Sequence, residues 1–155
     1  MNTRPPHLPA EERREATVES VIELAAQRNP SDITTSAIAQ HMGLTQGALF
    51  RHFPTKDAIW EAVMQWVATR LMARVDRAIA SHDSALDALE AVFLTHTAFV
   101  AEHPGVPRML FGELQRAEDT AAKRAARTLL AAYGKRVRQL IVKGQQRGEL
   151  SQDIE

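Results

Sequence analysis

The chain has 155 residues and a mass of 17.2 kDa, enough for one domain or two small ones sharing a core and too little for a barrel or a multidomain enzyme. With 45% hydrophobic and 25% charged residues it is neither disordered nor fibrous, and the lack of cysteine removes disulfides, thiolate nucleophiles and thiolate-bound zinc together. Nineteen basic residues balance nineteen acidic ones, which argues against attachment to nucleic acid by bulk positive charge. Met1 to Ser20 carries four glutamates and no apolar run, so neither a signal peptide nor a membrane span is read there, and a cytoplasmic chain is expected.

Helical periodicity dominates and no alternating strand pattern occurs, so the expected fold is all-α. Prolines 5, 6 and 9 make residues 1–9 a flexible arm. A first helix spans about Ala10 to Arg28, with Val18, Val21, Ile22 and Ala25 on one stripe, and Asn29-Pro30 stops it. Thr34 or Thr35 caps a short helix with Ile38 and Ala39, Gly43 ends it, and Thr45 opens a second short helix through Phe50. Two helices across so short a glycine-containing turn form a helix-turn-helix unit, and residues 10–55 are read as that domain. Residues 56–155 follow as a helical regulatory domain. It begins with a long helix from Lys56 to about Ser81, continues from the Ser84/Asp87 capping signal to about Glu102, passes through a shorter helix at Val106–Leu114, and ends with Asp119–Gln146, stopped by Gly148.

The chemistry concentrates between Thr35 and Asp57. Gly47 sits early in a helix, where glycine costs about 1 kcal/mol against alanine, so it asks for a reason. Either another backbone approaches closely, or the glycine avoids a clash between packed helices. Gln46 and Arg51 could make paired contacts to base edges in a major groove. Lys56 stands in the first turn of the long helix, where its charge opposes the helix dipole unless a phosphate is bound. A solvated surface lysine is the other reading.

This segment strongly resembles the DNA-binding region of the TetR family of bacterial transcriptional regulators. The matching features are the threonine-led helix with Ile38-Ala39, then Gly43-Leu44-Thr45, Gly47, an aromatic at Phe50, His52-Phe53, and Lys56 opening the next helix. The resemblance implies a dimer that binds double-stranded operator DNA and is released by a small-molecule effector. By position it implies phosphate contact from Thr35 and Lys56, and a recognition helix presenting Thr45, Gln46, Gly47, Phe50, Arg51 and His52. Phenylalanine replaces the family's usual tyrosine at Phe50, which removes one hydroxyl contact to phosphate. Family members usually continue through two further helices that build the dimer, whereas this sequence stops at Glu155, so a bundle shortened at its carboxyl end is expected.

Trp60, Met64, Val67, Phe93, His96, Phe99, Met109, Phe111 and Tyr133 have the bulk and sparse polarity of a pocket for a small hydrophobic ligand, and equally that of a core. His96 and His103 are two helical turns apart, not the adjacent-turn spacing of a helical zinc pair, so no metal and no cofactor is expected. No serine elbow, phosphate loop or HExxH pattern suggests an enzyme. Arg116 to Arg147 holds nine basic and two acidic residues, read as the solvated face of an amphipathic helix. The expected function is a ligand-released repressor; the alternative is a helical protein-interaction module without DNA binding.

Overall fold

The computed structural model describes residues 9–153, so the expected arm lies outside the described residues except for Pro9. Among the described residues there are seven α-helices, one 3₁₀ turn and no strand. They are α1 (Ala10–Gln27), the turn Pro30–Asp32, α2 (Thr35–His41), α3 (Gln46–Phe50), α4 (Lys56–Ala80), α5 (Ala85–Glu102), α6 (Gly105–Gln115) and α7 (Ala121–Gln146).

Local chemistry sets most of these boundaries. Thr34, Thr45, Thr55, Ser84 and Thr120 each accept a hydrogen bond from the amide three residues on, which satisfies a donor the first helical turn leaves free. Two helices stop at glycines in the left-handed region, Gly43 (φ 64°) after α2 and Gly148 (φ 72°) after α7. Both ends show paired closing bonds. Leu44 N–H donates to the Ala39 carbonyl and Gly43 N–H to Gln40, while Glu149 N–H donates to Gly144 and Gly148 N–H to Gln145.

A continuous core runs from the helix-turn-helix unit into the bundle. Val18, Val21 and Ile22 of α1 meet Ile38, Ala39, Leu49 and Phe53, as the apolar spacing predicts, with Leu44 less deeply buried than expected. Helix α4 then carries Ile59, Trp60, Val63, Met64, Val67, Leu71 and Val75 along its full length against α1, α5 and α7. Burial of such side chains contributes on the order of 1.5 to 3 kcal/mol each, so α4 is the main apolar support of both regions. Helix α6 packs on α1 through Gly105, where a Cβ would stand 2.6 Å from the Ile22 carbonyl oxygen and 2.7 Å from the Ala26 nitrogen. That contact, backbone against backbone, admits only glycine.

The chain end returns to the start of α5. The Glu149 carboxylate accepts from the Ala85 amide (2.6 Å), the Ser84 hydroxyl (3.0 Å) and the Leu86 amide (3.2 Å). Ser84 keeps its half of the expected capping box, the bond from the Asp87 amide, while Glu149 takes the two amides between them. Lys143 and Arg147 both donate to the Asp83 carbonyl beside it.

Two outcomes follow from these contacts. Gly105→Ala should destabilise the fold by about 1 to 3 kcal/mol through overpacking, measured by denaturant unfolding. The Leu86 amide, followed by the Ser84 hydroxyl and the Ala85 amide, holds Glu149 below its ordinary value of 4.5 against a partial desolvation that raises it. A lowered carboxylate stabilises the fold above its unfolded pKa and loses that contribution as pH falls through the folded one. The melting temperature should therefore fall more steeply below about pH 5 than it does in Glu149→Gln.

Candidate nucleic-acid interface

The two short helices are too short to hold themselves up, since isolated helices need roughly 12 to 15 residues to be even marginal in water. Leu49 and Phe53 anchor α3 in the core, and Arg14 of α1 fixes its end. The Arg14 guanidinium donates to the His52 carbonyl (2.8 Å) and lies 4.4 Å from the centroid of the Phe53 ring. Sequence reasoning missed Arg14, because nothing in a helix of mixed charge marks one arginine as the partner of a carbonyl 38 residues away.

With α3 held from behind, its other side is bare. Thr45, Gln46, Gly47, Phe50 and Arg51 are exposed, Phe50 to 41%, while Thr35 and His52 are half-buried. A Cβ built on Gly47 meets nothing within 4 Å. Among the described residues nothing requires a glycine there, which speaks against the clash-avoidance reading. Thr45 spends its acceptor on the Ala48 amide (3.2 Å), which leaves its hydroxyl proton to donate outward. Gln46 donates one amide proton to the Thr35 hydroxyl oxygen (2.8 Å). Its carbonyl oxygen and second amide proton stay available as the pair that matches an adenine edge, already oriented. Arg51 makes no hydrogen bond or ion pair among the described residues, so its guanidinium is free to bind.

Lys56 is placed differently. Its ammonium lies 4.8 Å from the Trp60 ring centroid, in a cleft of about 360 Å³ lined by Pro30, Ser31, Asp57, Trp60, Met109, Gly112, Glu113 and Arg116. Burial and then the neighbouring Arg116 charge push its pKa below the ordinary lysine value, against Asp57, Glu113 and Asp32. Neither Gln46 nor Arg51 lines that cleft. Across the same cleft Arg116 pairs with Asp57 (3.1 Å) and with the buried Glu113 (3.5 Å), which ties the start of α4 to the end of α6.

Of the nine expected ligand residues, Trp60 and Met109 line the cleft beside Lys56. Trp60, Met64, Val67, Phe99 and Met109 are buried in the core, and His96 meets Tyr133 edge-on with centroids 5.4 Å apart. Phe93 and Phe111 are 64% and 61% exposed. Helical phase explains the first of these: Val92 and Phe99, seven residues apart, face the core, and Phe93 is turned about 100° from Val92. His103 packs edge-on against Trp66 and Phe99, apart from His96.

Residues 19–63 match the model of the bacterial regulatory proteins of the tetR family. Over these residues the chain carries the amino-terminal module of that family. Beyond it, 130 residues are 27% identical to the nucleoid occlusion factor SlmA of Vibrio vulnificus, covering 83% of this chain and 66% of that one. The chain thus spans just under two thirds of that relative's length. The TetR-like fold continues through the bundle. The structure of the ketosteroid transcriptional regulator KstR2 of Mycobacterium tuberculosis superposes with a TM-score of 0.79 at 20% identity, over 92% of this chain and 73% of that one. The transcriptional regulator FadR of Bacillus subtilis, in complex with stearoyl-CoA, gives 0.76 at 18% identity, over 91% and 75%. No helix among the described residues is long and apolar enough to cross a membrane.

Gly47 separates an outward role from an inward one. Gly47→Ala should leave the melting temperature unchanged or raise stability by up to about 1 kcal/mol, while weakening DNA binding in an anisotropy titration. A loss of stability would place the demand for glycine inside the protein.

Proposed function

We propose that this chain is a sequence-specific DNA-binding transcriptional regulator of the cytoplasm, a repressor that binds operator DNA as a homodimer and is released by a small hydrophobic ligand. The observation that carries this reading is the open space over Gly47, on a helix whose exposed side holds Thr45, Gln46, Phe50 and Arg51. A helix entering a major groove needs such a side: polar groups for base edges, hydroxyls for phosphates, and a point where the backbone can come close. Thr35 and His52 flank it as phosphate contacts, and Lys56 would hold a further phosphate from the start of α4. Two copies must present their α3 helices about 34 to 36 Å apart to read successive turns of a palindromic site.

Release needs a path from bundle to recognition helix, and the packing supplies two. Gly105 seats α6 directly on α1, and Arg116 joins α6 to the first turn of α4. A ligand that spreads α4, α5 and α7 would move both, with a coupling free energy typically on the order of 1 to 3 kcal/mol. Trp60, Met64, Val67, His96, Phe99, Met109 and Tyr133 are the side chains proposed to meet it, and Phe93 and Phe111 would join only after rearrangement. Two buried nitrogens in this region, Trp66 Nε1 and His96 Nδ1, have no hydrogen-bond partner among the described residues. Buried polar atoms of that kind are uncommon and suit a ligand with a polar end.

The test is a titration of genomic fragments flanking the chain's own gene, at two salt concentrations. Binding should be sequence-specific with a shallow salt slope, because the first 57 residues carry six basic and seven acidic groups and neutralise few phosphates. Gln46→Ala or Arg51→Ala should cost about 1 to 3 kcal/mol on the preferred site and relax its sequence preference, whereas Lys56→Ala should weaken all sequences alike. An unchanged preference in both base-reading variants would overturn their assignment.

A further inference from the structure

The sequence holds four lysines, and the fold gives each a different setting. Lys123 is buried, with its ammonium donating to the Arg116 carbonyl, and Lys143 donates to the Asp83 carbonyl (3.1 Å). Lys135 stands exposed on α7 with no hydrogen bond or ion pair among the described residues. Lys56 also makes neither, yet it is half-buried in the cleft between the 3₁₀ turn, the start of α4 and α6, with its ammonium over the Trp60 ring.

The carboxylates around Lys56 are engaged elsewhere. Asp57 on α4 (3.1 Å), Glu113 on α6 (3.5 Å) and Glu118 (2.9 Å) all share Arg116, and the second Glu113 oxygen accepts from the Thr120 hydroxyl (3.2 Å). Asp32 on the 3₁₀ turn accepts from the Ser31 hydroxyl (3.3 Å). An ammonium that is partly dehydrated, lacks a paired carboxylate and stands near another cation gives up its proton more easily. Burial is the largest cause lowering the Lys56 pKa from the ordinary 10.5, and Arg116 the next, against the opposing pull of Asp57, Glu113 and Asp32. More of the side chain is therefore neutral amine, the form that attacks a carbonyl carbon.

The cleft supplies what else an acyl acceptor needs. Its volume of about 360 Å³ stands at the small end of the range for ligand pockets, and Pro30, Trp60, Met109 and Gly112 give it uncharged walls. A short acyl group carried by Lys56 has the Trp60 ring to lie on in place of water.

We propose that Lys56 is an acylation site, the amine of this cleft that accepts a short acyl group from an acyl phosphate or an acyl thioester. The neutral Nζ attacks the carbonyl carbon and forms the C–N bond of an amide. The C–O or C–S bond breaks, the phosphate or thiolate leaves with the electron pair, and the surplus proton on nitrogen passes to water. The amide carries no charge, so the cation over Trp60 is lost. Where Lys56 holds a phosphate of operator DNA, acylation removes that contact as well; this regulatory consequence rests on the function proposed above, and the acylation itself does not.

The test uses the folded 155-residue chain without DNA, incubated near pH 7.5 with acetyl phosphate and, separately, with acetyl-CoA, with acetylation of each lysine followed by peptide mass spectrometry. An ordinary lysine is almost wholly protonated at about that pH, so Lys135 serves as the internal reference. Lys56 should be acetylated several-fold faster than Lys135 by at least one donor, and the donor that does so identifies the source of the acyl group. In urea, where the cleft no longer exists, the lead should vanish. Acetylation of Lys56 no faster than that of Lys135 with both donors overturns the proposal, and so does a lead that persists undiminished in urea. DNA binding is then measured on the acetylated chain, which should bind as weakly as Lys56→Ala. Undiminished binding would overturn the regulatory consequence alone.

Discussion

One helix holds both halves of this protein to a single geometry. Helix α4 begins three residues after Phe53 closes the recognition unit and buries apolar residues from Ile59 to Val75 against α1, α5 and α7. A packed interior resists compression and transmits displacement, so α4 cannot rotate in the bundle without dragging the unit attached to its start. The Gly105 contact and the Arg116–Asp57–Glu113 cluster add constraints at the same end. Together they make the direction of α3 a property of the bundle.

Much of the fold was legible because its boundaries are local. Thr45 and Thr55 are caps in the sequence and in the structure, and Gly43 and Gly148 end helices by adopting the one backbone region that favours glycine. The buried stripe of α4 was equally readable from its spacing. Less legible were the places where one helix meets several neighbours. Phe93, Leu86 and Leu130 carry the bulk of core residues, yet α5 and α7 turn Ala85, Ala88, Ala122 and Ala126 inward beside Val92, Phe99, Leu129 and Leu140 and leave those three outside. Hydrophobicity alone weights these the wrong way.

Of the candidate interface, the residue types proposed to read DNA, Gln46, Gly47 and Arg51, stand out in the sequence by their chemistry, and their supports do not. The Arg14 contact, the Gln46–Thr35 bond and the packing of Lys56 over Trp60 depend on distant chain segments meeting, and no local pattern encodes them. Glu149 is the same kind of case: a carboxylate near the chain end caps a helix 63 to 65 residues earlier.

Helix α3 is only five residues long, and its pose comes from Leu49, Phe53 and Arg14, none of which faces outward with Gln46, Gly47, Phe50 and Arg51. Of those four outward residues, only Gln46 makes a side-chain hydrogen bond to the rest of the molecule among the described residues. If α3 reads DNA as proposed, it is built like a replaceable typeface on a fixed carriage. Its letters can then be exchanged with little disturbance to what aims them, and a lineage would acquire new genomic addresses by a few surface changes without rebuilding its scaffold.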